Sequence, residues 1–402
     1  MKNKETNILI FSNVFREIIN IFSGPFLTAY FFKISKNSLI DLSTYNIFVF
    51  LCVGFFGLML GYIIRNKFQI GMFRIGVILN AVYVLTIIIL KEQILNYLPF
   101  IAFLYGTSMI TYFYPYNLFL SNKVSNDMRA QYEFKRKTIV TIISILTPII
   151  LGTIITTTNF VLTAIIILII SLIQIVMSFF LKPITYSNKK FTPFSSLKKL
   201  LKNKDVKNIL KLDFFKGMSV ADGSLKILIT LLIINAFKTD FNLGIFSSIS
   251  SLLTIIFQYI YTKYYRNKND KNMIVICAAV PVIQNSNLAD VSNLILLLII
   301  NNNIALCLYY FCYSSLVGVL NFVIDIRLFN LSNIPLIKND NQMEFWSLRE
   351  VVLNFGRIIS YILLLMVSLI KSGKYLNILM LFLTLSILLM GISLSKISKN
   401  DK

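Results

Sequence analysis

The sequence predicts an all-α membrane protein, with twelve transmembrane helices arranged as two six-helix bundles. Three observations carry this. Apolar runs of bilayer-crossing length recur from Asn7 to Lys396. The short polar gaps between them alternate in basicity, and one longer basic segment, Pro183 to Asn208, separates six runs from six. About 20 apolar residues cross a hydrocarbon core of roughly 30 Å. Inside lipid every backbone N–H and C=O must be satisfied within the segment, so each run must be a helix. Hydrophobic residues make up 56% of the 402 and charged residues only 14%. A soluble domain would carry about a quarter charged residues and could not hide that much apolar surface.

Taken in order, the first six spans fall at 8–32, 43–64, 70–90, 95–118, 138–158 and 161–181. The first is too long for the apolar region of a signal peptide and no small-residue cleavage site follows it, so it is expected to be retained. Gly24-Pro25, Pro115 and Pro148 are candidate bends in spans 1, 4 and 5. The second six fall at 209–236, 242–262, 273–300, 304–326, 346–370 and 374–395. Span 9 is the least regular, because Gln284-Asn285-Ser286-Asn287 and Asp290 interrupt it. Taking Asn301-Asn302-Asn303 as the following loop gives spans 9 and 10 sensible lengths and leaves a polar, broken helix around Asp290. Such backbone is tolerated only where it is buried in protein or faces water.

The expected organisation is a bundle over 1–182, a basic cytoplasmic linker over 183–208 and a second bundle over 209–402. In the linker, Ser195 or Ser196 would cap a short helix with Leu197, Leu200 and Leu201 on one face. That segment reads either as an amphipathic helix on the inner leaflet or as a flexible connection.

Charge sets the orientation. Lys33, Lys36, Lys91, Lys238, Lys371 and Lys374 lie in the gaps of one side, and Arg16, Lys216 and Lys226 lie within spans. The other thirty of the 39 Lys and Arg lie in or beside the gaps and tails of the opposite side. By the positive-inside rule both termini are cytoplasmic, in a multi-pass protein of the plasma membrane. The formal net charge of +22 is thus expected to meet anionic inner-leaflet headgroups. No soluble segment pairs a basic groove with stacking aromatics, so nucleic acid is not an expected partner.

Histidine is absent, which excludes His proton relays, His metal sites and nucleophile–His arrangements. Cys52, Cys277, Cys307 and Cys312 all fall in apolar runs without a CxxC pair, as buried free thiols would. No cofactor, metal or oligomeric partner is expected. Intramembrane enzymes that act on lipid headgroups want clustered Asp such as D-x-x-D, which is not present.

The halves look related. Asn13-Val14-Phe15-Arg16 corresponds to Asp213-Phe214-Phe215-Lys216, Asn46-Ile47-Phe48 to Gly244-Ile245-Phe246, and Tyr132-x-x-x-Arg136 to Phe345-x-x-x-Arg349. The matches share their order and similar offsets, as a parallel six-plus-six repeat would. Twelve spans, cytoplasmic termini, a basic central loop and parallel halves together resemble the major facilitator superfamily over nearly the whole chain. In that family the loop after span 2 carries a signature resembling G-x-x-x-D-R-x-G-R-R/K. Here the stretch reads Gly61-Tyr62-Ile63-Ile64-Arg65-Asn66-Lys67-Phe68-Gln69, with Arg65 in place of the acid and Phe68 in place of the second glycine. The resemblance implies a secondary transporter for a small-molecule substrate, a pathway lined chiefly by spans 1, 4, 7 and 10, and alternating access.

Ionisable groups within spans cost roughly 2.5–3.5 kcal/mol each on insertion scales, which makes them candidates for substrate binding or coupling. Asp222 and Lys226 share a face at i, i+4 midway along span 7, either as a site or as a structural ion pair. Arg16 and Glu17 in span 1 diverge by about 100°. Glu17 could pair with Lys216 or Lys226, while Arg16 could instead reach the cytoplasmic interface. A proton-coupled carrier without histidine must use carboxylates, here Glu17, Asp222, Asp290 and Asp325. Asp213 and Lys216 suggest a structural role. Gly61, Arg65, Arg136, Asp325, Arg349 and Arg357 are gating candidates, and Asp325, Arg327, Arg349, Glu350 and Arg357 read either as one cytoplasmic charge network or as ordinary flanking charge. Tyr112, Tyr116 and Asn117 in span 4, with Tyr309, Tyr313 and Asn321 in span 10, read either as a cavity wall or as interfacial anchors. A wall of that kind suits export of a small amphipathic compound. Uptake of a polar metabolite and a non-transporting immunity or sensor role are the alternatives.

Overall fold

The computed structural model describes residues 2–36, 38–64, 68–123, 126–182, 191–265, 270–290, 303–332, 334–338, 341–370 and 372–398. Every element among them is helical. The helices are α1 (Lys2–Ile21), α2 (Leu27–Ile34), α3 (Leu39–Ile63), α4 (Gln69–Leu90), α5 (Leu98–Lys123), α6 (Asn126–Thr157), α7 (Phe160–Ser178) and α8 (Pro193–Leu200). There follow α9 (Lys204–Ser219), α10 (Ser224–Phe237), α11 (Asp240–Ile260), α12 (Asp270–Asp290), α13 (Asn303–Ser332), α14 (Pro335–Lys338), α15 (Gln342–Ile370) and α16 (Gly373–Ser395).

Nine stretches among the described residues are long and apolar enough to cross a membrane. One of them, Gln69–Leu120, holds both α4 and α5, which part at Lys91, where φ is 48°. The residues of the first expected span are helical, as α1 and α2 joined through a π turn at Phe22–Phe26, but are not among those nine stretches. Pro25 lies inside that turn; its ring nitrogen has no hydrogen to donate, so the helix widens there rather than continuing in α register. Helix α12 runs through Gln284–Asn287 and ends at Asp290, so the expected break around Asp290 falls at the edge of the described residues. Asp290's side chain, Arg65, Asn301-Asn302 and residues 183–190 of the linker lie outside the described residues.

Burial is inverted relative to a water-soluble protein. Large apolar side chains such as Phe55, Ile89, Val176 and Leu369 are exposed on the helix surfaces. Polar side chains such as Asn80, Ser171, Gln174 and Asn354 are fully buried. Helices with apolar exteriors and hydrogen-bonded polar interiors are what a hydrocarbon solvent selects.

The chain divides into two compact units. Unit 1 comprises 1–193 with 239–248 and 346–351, and unit 2 comprises 194–238, 249–345 and 352–402. The linker is therefore split between them at Pro193, and two short segments of the second half group with the first. Physical reasons for that grouping are visible within unit 1. Lys33 pairs with Asp240 at 2.6 Å, and Ser248 Oγ donates to the Ile145 carbonyl. Ser347 Oγ donates to the Gly57 carbonyl at 2.6 Å.

In unit 1, α5 packs on both α3 and α4. Leu9, Phe73, Val77, Tyr112, Tyr116, Phe119 and Leu181 form one buried cluster there. Phe160, at the start of α7, stacks on Tyr30 at 3.9 Å and on Phe22 at 5.1 Å, which ties the α7 start to α2 and to the π turn. Asn159 caps that helix by accepting from the Leu162 N–H at 2.8 Å.

In unit 2, α16 packs on α9 and α12. The short helix α8 begins at Pro193, which supplies a preset φ at the first helical position. Ser195 and Ser196 thus sit inside its first turn rather than capping it. Leu200 is fully buried, whereas Phe194 and Leu201 are exposed.

Candidate functional site

The seventh span is two helices, not one. α9 ends at Ser219, α10 begins at Ser224, and Asp222 lies between them with φ 58°. The Ala221 N–H reaches back to the Lys216 carbonyl at 2.8 Å, and the Asp222 N–H to the Val220 carbonyl at 3.1 Å. The α register is lost over these residues. Gly223 is required at the turn, because a Cβ there would collide with the carbonyl oxygens of Met218 and Gly217. Asp222 and Lys226 do pair, at 2.8 Å from Oδ1 to Nζ. They do so across a helix break, not along a continuous helix face.

The break is braced by α15. Tyr361 donates its hydroxyl to the Asp222 carbonyl at 2.9 Å. Arg357 Nε donates to the Ala221 carbonyl, and its NH1 to Asn354 Oδ1 at 2.8 Å. The Ser224 N–H donates to Ser360 Oγ at 3.2 Å. Arg357 NH2 then stands 3.6 Å from Asp222 Oδ2. One carboxylate is thus shared by a lysine and an arginine, and both Asp222 and Lys226 keep about half of their side-chain surface accessible, 48% and 51%. Broken helices of this kind place polar backbone and charge at membrane depth only where protein or water receives them.

Arg357, expected to act with Asp325, Arg327, Arg349 and Glu350, here bonds the Ala221 carbonyl and Asn354 and faces Asp222. Asp325 is exposed. Arg327 pairs with Asp270 instead. Arg349 stands over the Trp346 ring at 5.0 Å. Arg136 NH1 donates to Asn13 Oδ1 at 3.2 Å. Gly61 meets the ring of Phe191, which occupies the space a Cβ would need.

Arg16 is not an interfacial anchor. It is 1% exposed in unit 1, donating from NH1 to Asn80 Oδ1 at 2.9 Å and lying over the Tyr112 and Phe113 rings at 5.2 and 5.4 Å. Its Nε and NH2 have no hydrogen-bond partner among the described residues. Around it, Asn80 Nδ2 donates to Ser171 Oγ, Gln174 Nε2 to the Ser12 carbonyl, and Ser12 Oγ meets the Tyr112 hydroxyl. Asn80, Ser171 and Gln174 were detectable in sequence as polar residues inside spans 3 and 6. Glu17 beside it is half-buried. Tyr112 and Tyr116 are packed into the core of unit 1, and Asn117 is half-buried. Tyr309 and Tyr313 are buried and stack at 6.0 Å in unit 2, where Asn321 is half-buried.

A desolvated guanidinium with one neutral hydrogen bond costs more than it returns in stability. Arg16→Met, which keeps the volume and removes the charge, is therefore expected to leave the melting temperature unchanged or higher. Arg16→Ala, which leaves a void, is expected to lose about 2–4 kcal/mol. Thermal melts of the two variants beside wild type check the difference.

No family model matches the sequence, and no curated protein matches it. Solved structures do. A mutant of the nucleoside transporter NupG superposes with a TM-score of 0.70 at 13% identity, covering 98% of this chain and 100% of that one. A bacterial metal transporter gives 0.61 at 11% identity, covering 99% and 98%. The human organic anion transporter MFSD10 (TETRAN) gives 0.60 at 14% identity, covering 98% and 99%. The fold is that of the major facilitator transporters. At these identities the likeness is one of fold.

Proposed function

We propose that this chain is a secondary transporter of a small amphipathic compound, working by alternating access, with Asp222, Lys226 and Arg357 as its substrate or coupling site. The observation that carries this is the helix break at Asp222. A positive-φ aspartate costs of order 1–3 kcal/mol in backbone strain, and ionised side chains within a span add to that cost. A purely structural helix would be more stable without either. The shared carboxylate is also accessible, as a group that must exchange partners has to be. The three similar structures are named as transporters of different solutes, which supports transport and leaves the solute to this chain's own residues.

Counterflow in proteoliposomes holding the full chain, against a panel of metabolites, peptides and drugs, tests this. At least one compound is expected to exchange through wild type and about tenfold more slowly through Asp222→Asn, as loss of an ionised partner within a span predicts. Exchange of no compound, or equal exchange by the variant, overturns the reading.

A further inference from the structure

We infer that unit 1 holds a binding site, centred on Arg16, for the carboxylate of a small apolar or aromatic solute. It involves none of the residues around Asp222, which belong to unit 2. The three nitrogens of the guanidinium differ in what they meet. NH1 donates to Asn80 Oδ1 at 2.9 Å. Nε and NH2 are buried with no hydrogen-bond partner among the described residues. Those two nitrogens share the edge of the plane away from Cδ, where their N–H bonds run parallel. Two parallel donors match the two oxygens of one carboxylate, a bidentate fit that a single point donor does not offer.

The fork is also held still. The guanidinium carbon lies 5.2 Å from the Tyr112 ring and 5.4 Å from the Phe113 ring, and the two rings brace each other edge to face at 5.2 Å. Asn80 Nδ2 donates to Ser171 Oγ at 3.3 Å, which turns the amide oxygen toward Arg16. A ligand therefore meets donors already in place, and little side-chain freedom is lost when it binds. Charge selects the ligand. Arg16 is 1% exposed, and no carboxylate pairs with it among the described residues. A buried charge without a counter-charge is strongly destabilising, and an entering anion removes that cost. One guanidinium balances one negative charge, as a carboxylate supplies. The rings beside the fork favour an apolar or aromatic group next to that carboxylate. Approach is from the side of Phe113 on α5 and Asn20 on α1, which are half-buried, whereas Tyr112 is fully buried.

The experiment is ligand binding, not flux, so its outcome is separate from that of the counterflow assay. Full-length protein in phosphatidylcholine nanodiscs is titrated with benzoate, benzamide, inorganic phosphate and chloride, and binding is read by thermal shift. Benzoate is expected to stabilise wild type, and benzamide, its neutral counterpart of the same shape, not to. Arg16→Met, expected above to melt no lower than wild type, should abolish the benzoate shift. Arg16→Lys keeps the charge and loses the fork, so it should weaken benzoate binding about tenfold. Should Arg16→Met yield no folded protein, Arg16→Lys decides. An equal shift with benzamide, a benzoate shift that survives Arg16→Met or is undiminished in Arg16→Lys, or no response to benzoate overturns the proposal. Phosphate or chloride acting as strongly as benzoate shows a site for any anion and overturns the carboxylate assignment. A shift seen only when phosphatidylglycerol replaces phosphatidylcholine assigns Arg16 to a lipid headgroup and overturns it equally.

Discussion

Arg327→Ala is expected to cost unit 2 about 3–5 kcal/mol, the usual penalty for taking one partner from a buried ion pair. Arg327 and Asp270 are 4% and 7% exposed. The guanidinium joins three elements: NH2 meets the Asp270 carboxylate at the start of α12, and NH1 donates to the Leu394 and Ile397 carbonyls where α16 ends. Tyr261, in the turn after α11, donates its hydroxyl to the same carboxylate. Asp270 sits in the first turn of its helix, where negative charge is favoured by the dipole. Arg327 meets the last carbonyls of another helix, where positive charge is favoured. Alanine takes the guanidinium from a buried carboxylate and the donor from the helix end at once. The measurement is a thermal or denaturant melt in detergent, with Arg327→Lys and Asp270→Asn/Arg327→Met alongside. Lysine, a single point donor, should recover only part of the loss. The double variant should recover most of it, since it removes the uncompensated charge. An Arg327→Ala protein as stable as wild type would mean that the pair contributes nothing.

That network was only half legible in the sequence, and the reason is general to this chain. Membrane class and helical fold follow from local quantities, namely run length and gap charge. Each is readable without knowing which helix touches which. Arg327 and Asp270 are 57 residues apart, and each looks like ordinary cytoplasmic flanking charge until tertiary structure brings them together. Asp222 and Lys226 were legible as a pair, because their spacing is local. Their geometry was not: Ala221-Asp222-Gly223-Ser224 contains an Asp-Gly step, a turn signal, but it sits among apolar residues that read as one helix. Arg357, far along the chain from Asp222, had no local feature to mark it as the third member. The aromatic residues Tyr112 and Tyr116 read equally well as wall or anchor because periodicity does not say what a helix face meets, and their packing against Leu9 and Phe73 is a tertiary fact.

The same logic makes two glycines the next most sensitive positions. α9 and α15 cross in backbone contact: a Cβ at Gly217 would collide with the Leu353 carbonyl, and one at Gly356 with the Phe214 carbonyl. Both obstacles are backbone, which no rotamer change can move. Small residues at such crossings are how membrane helices gain contact where lipid offers no hydrophobic drive. Gly356→Ala is therefore expected to cost about 1–3 kcal/mol through overpacking, and the double variant Gly217→Ala with Gly356→Ala more than either alone, since the two sites share one crossing. The functional consequence should exceed the stability loss. Arg357 follows Gly356 directly, and the break at Asp222 lies just beyond Gly217, so forcing the helices apart lengthens the Arg357–Asp222 separation, already 3.6 Å. In proteoliposomes Gly356→Ala should then retain folded protein by size-exclusion chromatography while losing most exchange of whatever compound wild type carries. Full exchange by a folded Gly356→Ala protein would show that the α9–α15 spacing, and with it the placement of Arg357 beside Asp222, does not govern the site.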